Sequence, residues 1–556
     1  MTATATRPAA PAEVAAVRQP PAAAVTPESP LTTSDHKRLG RYYITAAVLF
    51  ALVGSVIGVL LELELSAKGI QIVGTSYDRL FSLHATATTV LFVTPLWIGL
   101  ATYLVPLQIG ARRLAFPRLA ATAFWTYVGG GILLLASYTF GTPNGMGIVS
   151  SVALAPVKGV GRATDLWATS LILITLALVA AAANLFVTIL KLRATGMTMA
   201  RVPNFTWSIL ALSAAILLSG PVFLAGMLLV FLDQHYAGGL FAASQGNANL
   251  VWQHLVWLYG RPDVYLVAVP ALGALSDVVA THSHRRLLQP LVAKGAIFAT
   301  TSLAFAVLAS NASIERAVVQ PTPSLLSAFI VAPIGLTALL WLGTIRPAQL
   351  KFHVSLLYVG GFALLLVAAG VNAAVAPSQH LVGGVNGSAW TVGQIHAALI
   401  GAPTMAAFAA VYHWSPKIWG KALNQLIGTL VWLCLFGGFA ITSAGAWAAG
   451  YDGAPWHVDN YTSGATSHYF NYAKLASVGG VLVFLGLLLF LASAAASWAF
   501  ARHAAPEDLP ADPYEASTLE WAAASPPPPD NFESVPEIRS DAPLADLRAR
   551  PGGGAA

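Results

Sequence analysis

Charge is what this 556-residue chain has least of. Asp, Glu, Lys and Arg together make up 9% of it, where soluble globular chains carry roughly 25%. A surface so poor in charge cannot face water throughout, which excludes an ordinary soluble globule. Cysteine is almost missing too, with Cys434 the single thiol. That rules out disulfides within the chain, CxxC metal sites and a dithiol redox centre. Residues 1–33 are rich in Ala, Pro and Thr and lack the apolar core of a signal peptide, so they read as a disordered N-terminal segment. No short-period repeat is visible. The net charge of +6 is a bias of the loops and gives no support to a nucleic-acid partner.

Hydrophobic residues, by contrast, make up 56% of the chain, with a mean hydropathy of +0.68. They fall in runs near the roughly 20 residues that a membrane-spanning helix needs. The runs lie at 42–65, 81–106, 118–140, 166–194, 206–232, 250–280, 290–313, 324–344, 353–375, 389–413, 421–450 and 472–500. An all-α integral membrane protein of about twelve helices is expected over residues 34–501. A Pro-rich, acidic tail then runs over 502–556, and neither end has the composition to bury a core of its own.

Loop charge orients the helices. Each connection after an even-numbered helix is basic: Arg112, Arg113 and Arg118, then Lys191, Arg193 and Arg201, then His282 through Arg286 with Lys294. Arg346 with Lys351 and Lys417 with Lys421 complete the set, and Lys37, Arg38 and Arg41 precede the first helix. The alternate connections carry sparse, mixed charge. Both termini are therefore expected to be cytoplasmic.

Two histidines stand a few residues inside even-numbered helices: His84 in Leu80-Phe-Ser-Leu-His84 and His396 in Trp390-Thr-Val-Gly-Gln-Ile-His396. Both helices enter from the same side, so the two imidazoles lie at similar depth. Ionisable groups inside a membrane are costly and usually functional, and imidazole is a common axial ligand of haem iron. The competing reading is a pair of neutral core histidines, each bonded to a backbone carbonyl.

Several ordered motifs carry a resemblance. They are Ser34-Asp-His-Lys-Arg38, Phe81-Ser-Leu-His84, Tyr103-Leu-Val-Pro-Leu-Gln-Ile-Gly-Ala111, Trp252-Gln-His-Leu255, Tyr412-His-Trp-Ser-Pro-Lys417 and the tail's Leu519-Glu-Trp521 with Pro526-Pro-Pro-Pro-Asp-Asn-Phe532. Over residues 34 to about 545 the chain resembles subunit I of cytochrome c oxidase, in the haem–copper oxidase superfamily, most of all the A-type enzymes of actinobacteria. The resemblance implies twelve helices in three arcs, a bacterial plasma-membrane location, and partner chains like oxidase subunits II and III. Cytochrome c or another donor would supply electrons. It also implies that His84 and His396 are the axial ligands of a low-spin haem.

The resemblance fails at the oxygen-reducing centre. Where the family has a copper-binding histidine on helix six this chain has Arg261, in Gly260-Arg-Pro-Asp-Val-Tyr265. The two copper-binding histidines of helix seven correspond to Ser310 and Asn311, and the proximal ligand of the high-spin haem corresponds to Gln394. A guanidinium has only donors and stays protonated, so Arg261 repels a copper ion. Hard oxygens from Ser310 and Asn311 suit copper poorly. Copper is therefore not expected, and the second haem loses its ligand. The family's tyrosine is kept as Tyr265, although it cannot be joined to an arginine as the family joins it to histidine. Proton-pathway positions differ as well: Thr337 replaces a lysine, Arg113 an aspartate and Asp263 a glutamate. Asn386 and Gly387 stand in place of a magnesium pair, and Trp456 and His457 in place of the arginines that clamp haem propionates. Glu62 stands where an arginine polarises a haem formyl group, which leaves type a and type b haem both open.

Three functions from different classes follow. The first is electron transfer through a low-spin haem without oxygen reduction. The second is a non-redox scaffold of an oxidase-like complex; family membership alone would give a proton-pumping terminal oxidase, which ranks below these two because it would have to work without the reactive centre's metal ligands. The third, independent of family, is a twelve-helix secondary transporter, which leaves His84 and His396 unexplained and lacks visible internal symmetry.

Overall fold

The computed structural model describes residues 32–69, 71–141, 162–236, 267–314, 322–375, 388–461, 467–501 and 510–549, with Ser29 and Val385. Arg261, Asp263, Tyr265, Asn386 and Gly387 lie outside them, as do the side chains of Ser310 and Asn311 and nearly all of the N-terminal segment.

The described residues form helices in the expected order. They are α1 (His36–Glu64), α2 (Tyr77–Thr88), α3 (Thr94–Gln108), α4 (Pro117–Ser137), α5 (Arg162–Lys191), α6 (Asn204–Tyr236) and α7 (Val269–His282). There follow α8 (Pro290–Ile314), α9 (Thr322–Thr344), α10 (Val354–Val375), α11 (Trp390–Gln394), α12 (Ala402–Trp419), α13 (Gln425–Tyr451) and α14 (Ser467–Ala501), with the short α15 (Pro543–Arg548) in the tail. A π-turn over Thr89–Val93 joins α2 to α3, and another over Ile395–Gly401 joins α11 to α12. Counted as continuous rods, with α2 joined to α3, α11 to α12 and α15 left aside, these are twelve helical segments. Nine, among the described residues, are long and apolar enough to cross a membrane, and α7 is the second half of the run read at 250–280.

Apolar side chains that face lipid give no drive for helices to associate, so close approach comes from small residues. Gly40 on α1 and Gly99 on α3 show this. A Cβ on Gly40 would meet Tyr103 Cβ at 2.7 Å, and one on Gly99 would meet Tyr43 Cβ at 2.7 Å. Gly438 and Gly479 bring α13 against α14 in the same way, with a Cβ on either falling within 2.7 Å of the other's carbonyl oxygen. Neighbouring helices pack in sequence, α4 on α5, α5 on α6 and α6 on α7, while α1 also contacts α2 and α14, and α13 contacts both α14 and α11.

The tail does not stay loose. Residues 510–549 dock on the ends of α1, α3 and α12, and Leu519, Glu520 and Asn531 are wholly buried there. Asn531 sits at φ +68°, a left-handed conformation that asparagine tolerates. Its Oδ1 accepts from Lys37 Nζ at 2.9 Å, and its Nδ2 donates to the Ala111 carbonyl at 2.8 Å. Glu520 Oε1 accepts from Trp414 Nε1 (2.9 Å), Gln108 Nε2 (3.1 Å) and Thr518 Oγ1 (2.8 Å). Burial pushes this carboxyl above the usual range.

Candidate functional site

His84 and His396 meet. They project from α2 and from the π-turn after α11 into one cavity, with ring centroids 6.0 Å apart and planes within 18°. His84 Nδ1 lies 2.8 Å from the Gly54 carbonyl, and His396 Nδ1 lies 2.9 Å from the Val392 carbonyl. A carbonyl can only accept, so both Nδ1 atoms carry the proton. Both Nε2 lone pairs are therefore free. This is the tautomer an axial ligand needs, and the carbonyl bond raises the ligand's basicity.

An ion bound by both Nε2 atoms at the usual metal–nitrogen distance of about 2.0–2.1 Å separates those atoms by roughly 4 Å. Ring centroids then fall about 6 Å apart, matching the pair as it stands. The space around it also fits. The cavity is about 470 Å³ and is walled mainly by apolar side chains, among them Phe81, Leu399, Phe439 and Val483. Gly58 forms the wall beside His84, and a Cβ there would meet the ring's Cε1 at 2.8 Å. The residues present thus fit a flat, largely apolar macrocycle held on both axial sides.

Glu62, Trp456 and His457, singled out in the sequence, line the same cavity. His457 packs edge-on against Phe81 at 4.5 Å and places Nε2 3.4 Å from Asp78 Oδ1. Gln394 precedes the π-turn. Its Nε2 donates to the Ala369 carbonyl at 3.0 Å, and its Oε1 is buried without a partner among the described residues. Thr337 is buried on α9 and donates to the Pro333 carbonyl at 3.0 Å. Arg113 is exposed on the α3–α4 loop. Where Arg261 and Tyr265 stand relative to Gln394 falls outside the described residues.

Sequence reasoning missed the cradle. Gly54 supplies a carbonyl and Gly58 supplies room, and the two π-turns place the histidines. Two glycines four apart in an apolar run are a visible signal, since they share one helix face. A π-turn leaves no comparable trace.

A helical bundle that arranges its spans and its facing histidines in this way has the fold of the haem–copper oxidases. A heme-copper terminal oxidase dimer solved by cryo-EM superimposes with a TM-score of 0.67 over 83% of this chain and 84% of that one, at 16% identity. The family model for cytochrome C and quinol oxidase polypeptide I matches residues 38–483. Among similar sequences, a putative cytochrome c oxidase subunit 1-beta of Streptomyces coelicolor is 34% identical, covering 93% of this chain and 90% of its own length. Cytochrome c oxidase subunit 1 of Corynebacterium glutamicum is 32% identical over 93% and 88%. The chain belongs to the cytochrome c and quinol oxidase polypeptide I family.

Proposed function

We propose that this chain is a low-spin haem subunit of a respiratory electron-transfer complex that does not itself reduce oxygen. The observation that carries the reading is the facing of His84 and His396, with both Nε2 lone pairs free across the cavity. When bound, haem supplies a one-electron ferric–ferrous couple. The protein's part is to hold it. His84 and His396 would hold it through their two Nε2 atoms, Gly58 and Gly54 fix the His84 ring, and the apolar walls exclude water.

The absence of oxygen chemistry rests on four replaced ligands: Arg261, Ser310, Asn311 and Gln394. None offers an imidazole. Gln394 presents an amide oxygen that no described residue satisfies, a weak ligand at best for iron. Copper is therefore not proposed as a cofactor, and a second haem would need a ligand other than those the family uses. The conventional names of the relatives favour a working oxidase subunit instead. On that reading the reactive centre would have to work without these ligands.

Family membership supports partners like oxidase subunits II and III, and cytochrome c or another donor. The basic loops support a bacterial plasma-membrane location with both termini in the cytoplasm. A non-redox scaffold remains the second reading, favoured by the same four replacements. A reduced-minus-oxidised absorption spectrum of the purified protein, with haem extraction, decides between them. A low-spin signal with about one haem per chain supports electron transfer, and a featureless spectrum supports the scaffold.

A further inference from the structure

At the end of the bundle where α1 and α4 begin, a concavity of about 1050 Å³ opens to the surface. Its polar rim is Arg38, Arg112, Arg113 and Arg118 against Asp35 and Asp530. Asp35 is already engaged, capping α1 through the Lys37 amide at 2.9 Å and pairing with Lys37 Nζ at 3.3 Å and Arg38 Nε at 3.9 Å, which leaves Arg112, Arg113 and Arg118 against Asp530. The rim is therefore net positive.

The loop that carries Arg112 and Arg113, and leads into Arg118 at the start of α4, is fixed in place. Gly110 turns it at φ +72°, where a Cβ would strike Ala194 Cβ at 2.8 Å. Asn531 Nδ2 holds the Ala111 and Arg112 carbonyls at 2.8 and 3.3 Å. Asn184 grips Phe116 from both sides, accepting its N–H at 3.0 Å and donating to its carbonyl at 2.9 Å. Thr188 Oγ1 accepts from the Ala115 amide at 2.9 Å. Three polar side chains spent on one short loop make a preorganised cationic bowl, which lowers the entropic cost of binding an anion.

The bowl continues into an apolar track. Arg118 opens the exposed face of α4, which runs on through Thr122, Trp125, Gly129 and Ile132 at helical spacing. Phe116 (47% exposed) forms the lip, Trp125 and Ile132 are exposed further down, and among the described residues nothing beyond its own helix backbone and chain neighbours lies within 4 Å of a Cβ built on Gly129. The helix thus presents an aromatic ring with an open notch one turn below it.

A cationic bowl at a helix end that leads into a notched lipid-facing track matches a two-part ligand. We propose that this site binds the phosphodiester headgroup of an anionic phospholipid, with one acyl chain lying along Trp125 and Gly129. Basic pockets at the membrane edge recognise such headgroups. A free phosphate would use the arginines alone and ignore the track. The assignment does not depend on whether haem binds at His84 and His396.

Native mass spectrometry of the full chain, in the complex with which it purifies, tests this with phosphatidylglycerol, phosphatidylcholine and inorganic phosphate. Phosphatidylglycerol is expected to bind at least about tenfold more tightly than phosphatidylcholine. Arg113→Gln with Arg118→Gln should weaken it about thirtyfold, taking about 1 kcal/mol per arginine near a membrane surface. Gly129→Leu should weaken the lipid severalfold by filling the notch. Should the double variant fail to fold, Arg113→Gln alone, at an exposed side chain, is expected to cost about fivefold. Equal binding of the two lipids, or a charge variant that binds like the parent, overturns the site. Displacement of the lipid by inorganic phosphate at equal concentration, with Gly129→Leu silent, overturns the lipid assignment in favour of a free anion.

Discussion

Gly58 stands against the His84 ring with no room for a side chain between them. A Cβ added to Gly58 would sit 2.8 Å from Cε1 and 3.3 Å from Nδ1 of the imidazole. The ring's orientation therefore depends on an absent methyl on the neighbouring helix. Gly58→Val is expected to swing His84 away from the Gly54 carbonyl and abolish the low-spin haem spectrum, while the helical content by circular dichroism stays that of the parent. A variant with an unchanged haem spectrum would show that the cavity holds the group some other way.

His396→Ala and His84→Ala should each remove one axial bond. Loss of the six-coordinate low-spin signal is expected in both, measured as reduced-minus-oxidised absorption at matched protein concentration. Survival of that signal in His396→Ala would sink the assignment.

Copper and oxygen are a separate matter. Elemental analysis of the purified protein is expected to find no stoichiometric copper, and its complex is expected to take up no oxygen with reduced cytochrome c. Gln394→His alone should not change either result, because Arg261, Ser310 and Asn311 still provide no imidazole. Stoichiometric copper in the parent would refute the reading.

His353 gives a pH dependence outside the membrane spans. It packs flat against His282 with centroids 4.5 Å apart and reaches Tyr514 Oη at 3.2 Å, so it joins the tail to the start of α10. Burial pushes its pKa down to about 4 from the ordinary 6.5. A base with a depressed folded pKa stabilises the fold above its unfolded pKa and loses that contribution as pH falls toward the folded value. Thermal stability in detergent should therefore drop between about pH 6.5 and 4, and His353→Phe should flatten the slope. An equal slope in both proteins would place the titration elsewhere.

Glu520 is the tail's buried anchor. Glu520→Ala strands three donors, from Gln108, Trp414 and Thr518, and buried donors left unpaired cost about 1–3 kcal/mol each before relaxation. Limited proteolysis should then cut the tail faster, with the melting temperature reduced by several degrees. Glu520→Gln keeps an acceptor oxygen and should lose less. Proteolysis at the parent's rate in Glu520→Ala would show that the tail docks without this residue.

The sequence made the long apolar helices legible, nine of them long enough to span among the described residues, because lipid selects for apolar length and length is visible in any window of residues. The histidine pair was legible for a related reason, since polar groups at matched depth in two helices stand out against Leu, Val and Ala. Docking of the tail was not legible. Its bonds join Asn531 to Lys37 across 494 residues and Glu520 to Trp414 across 106, and no local periodicity encodes such a pairing. Nor were the π-turns, whose extra residue per turn falls in sequence that reads as ordinary apolar helix.

Asn531 also sets an order of events. His36 and Lys37 are among the first residues of the bundle to emerge during synthesis, and their partner lies 495 and 494 residues downstream. At about 5–20 residues per second the two side chains wait roughly 25–100 s for it. Until then the Lys37 ammonium and the Ala111 and Arg112 carbonyls lack the amide that bonds them in the finished fold. A chain that stops short of Asn531 carries its long apolar helices without the side chain that ties the first of them to the α3–α4 loop.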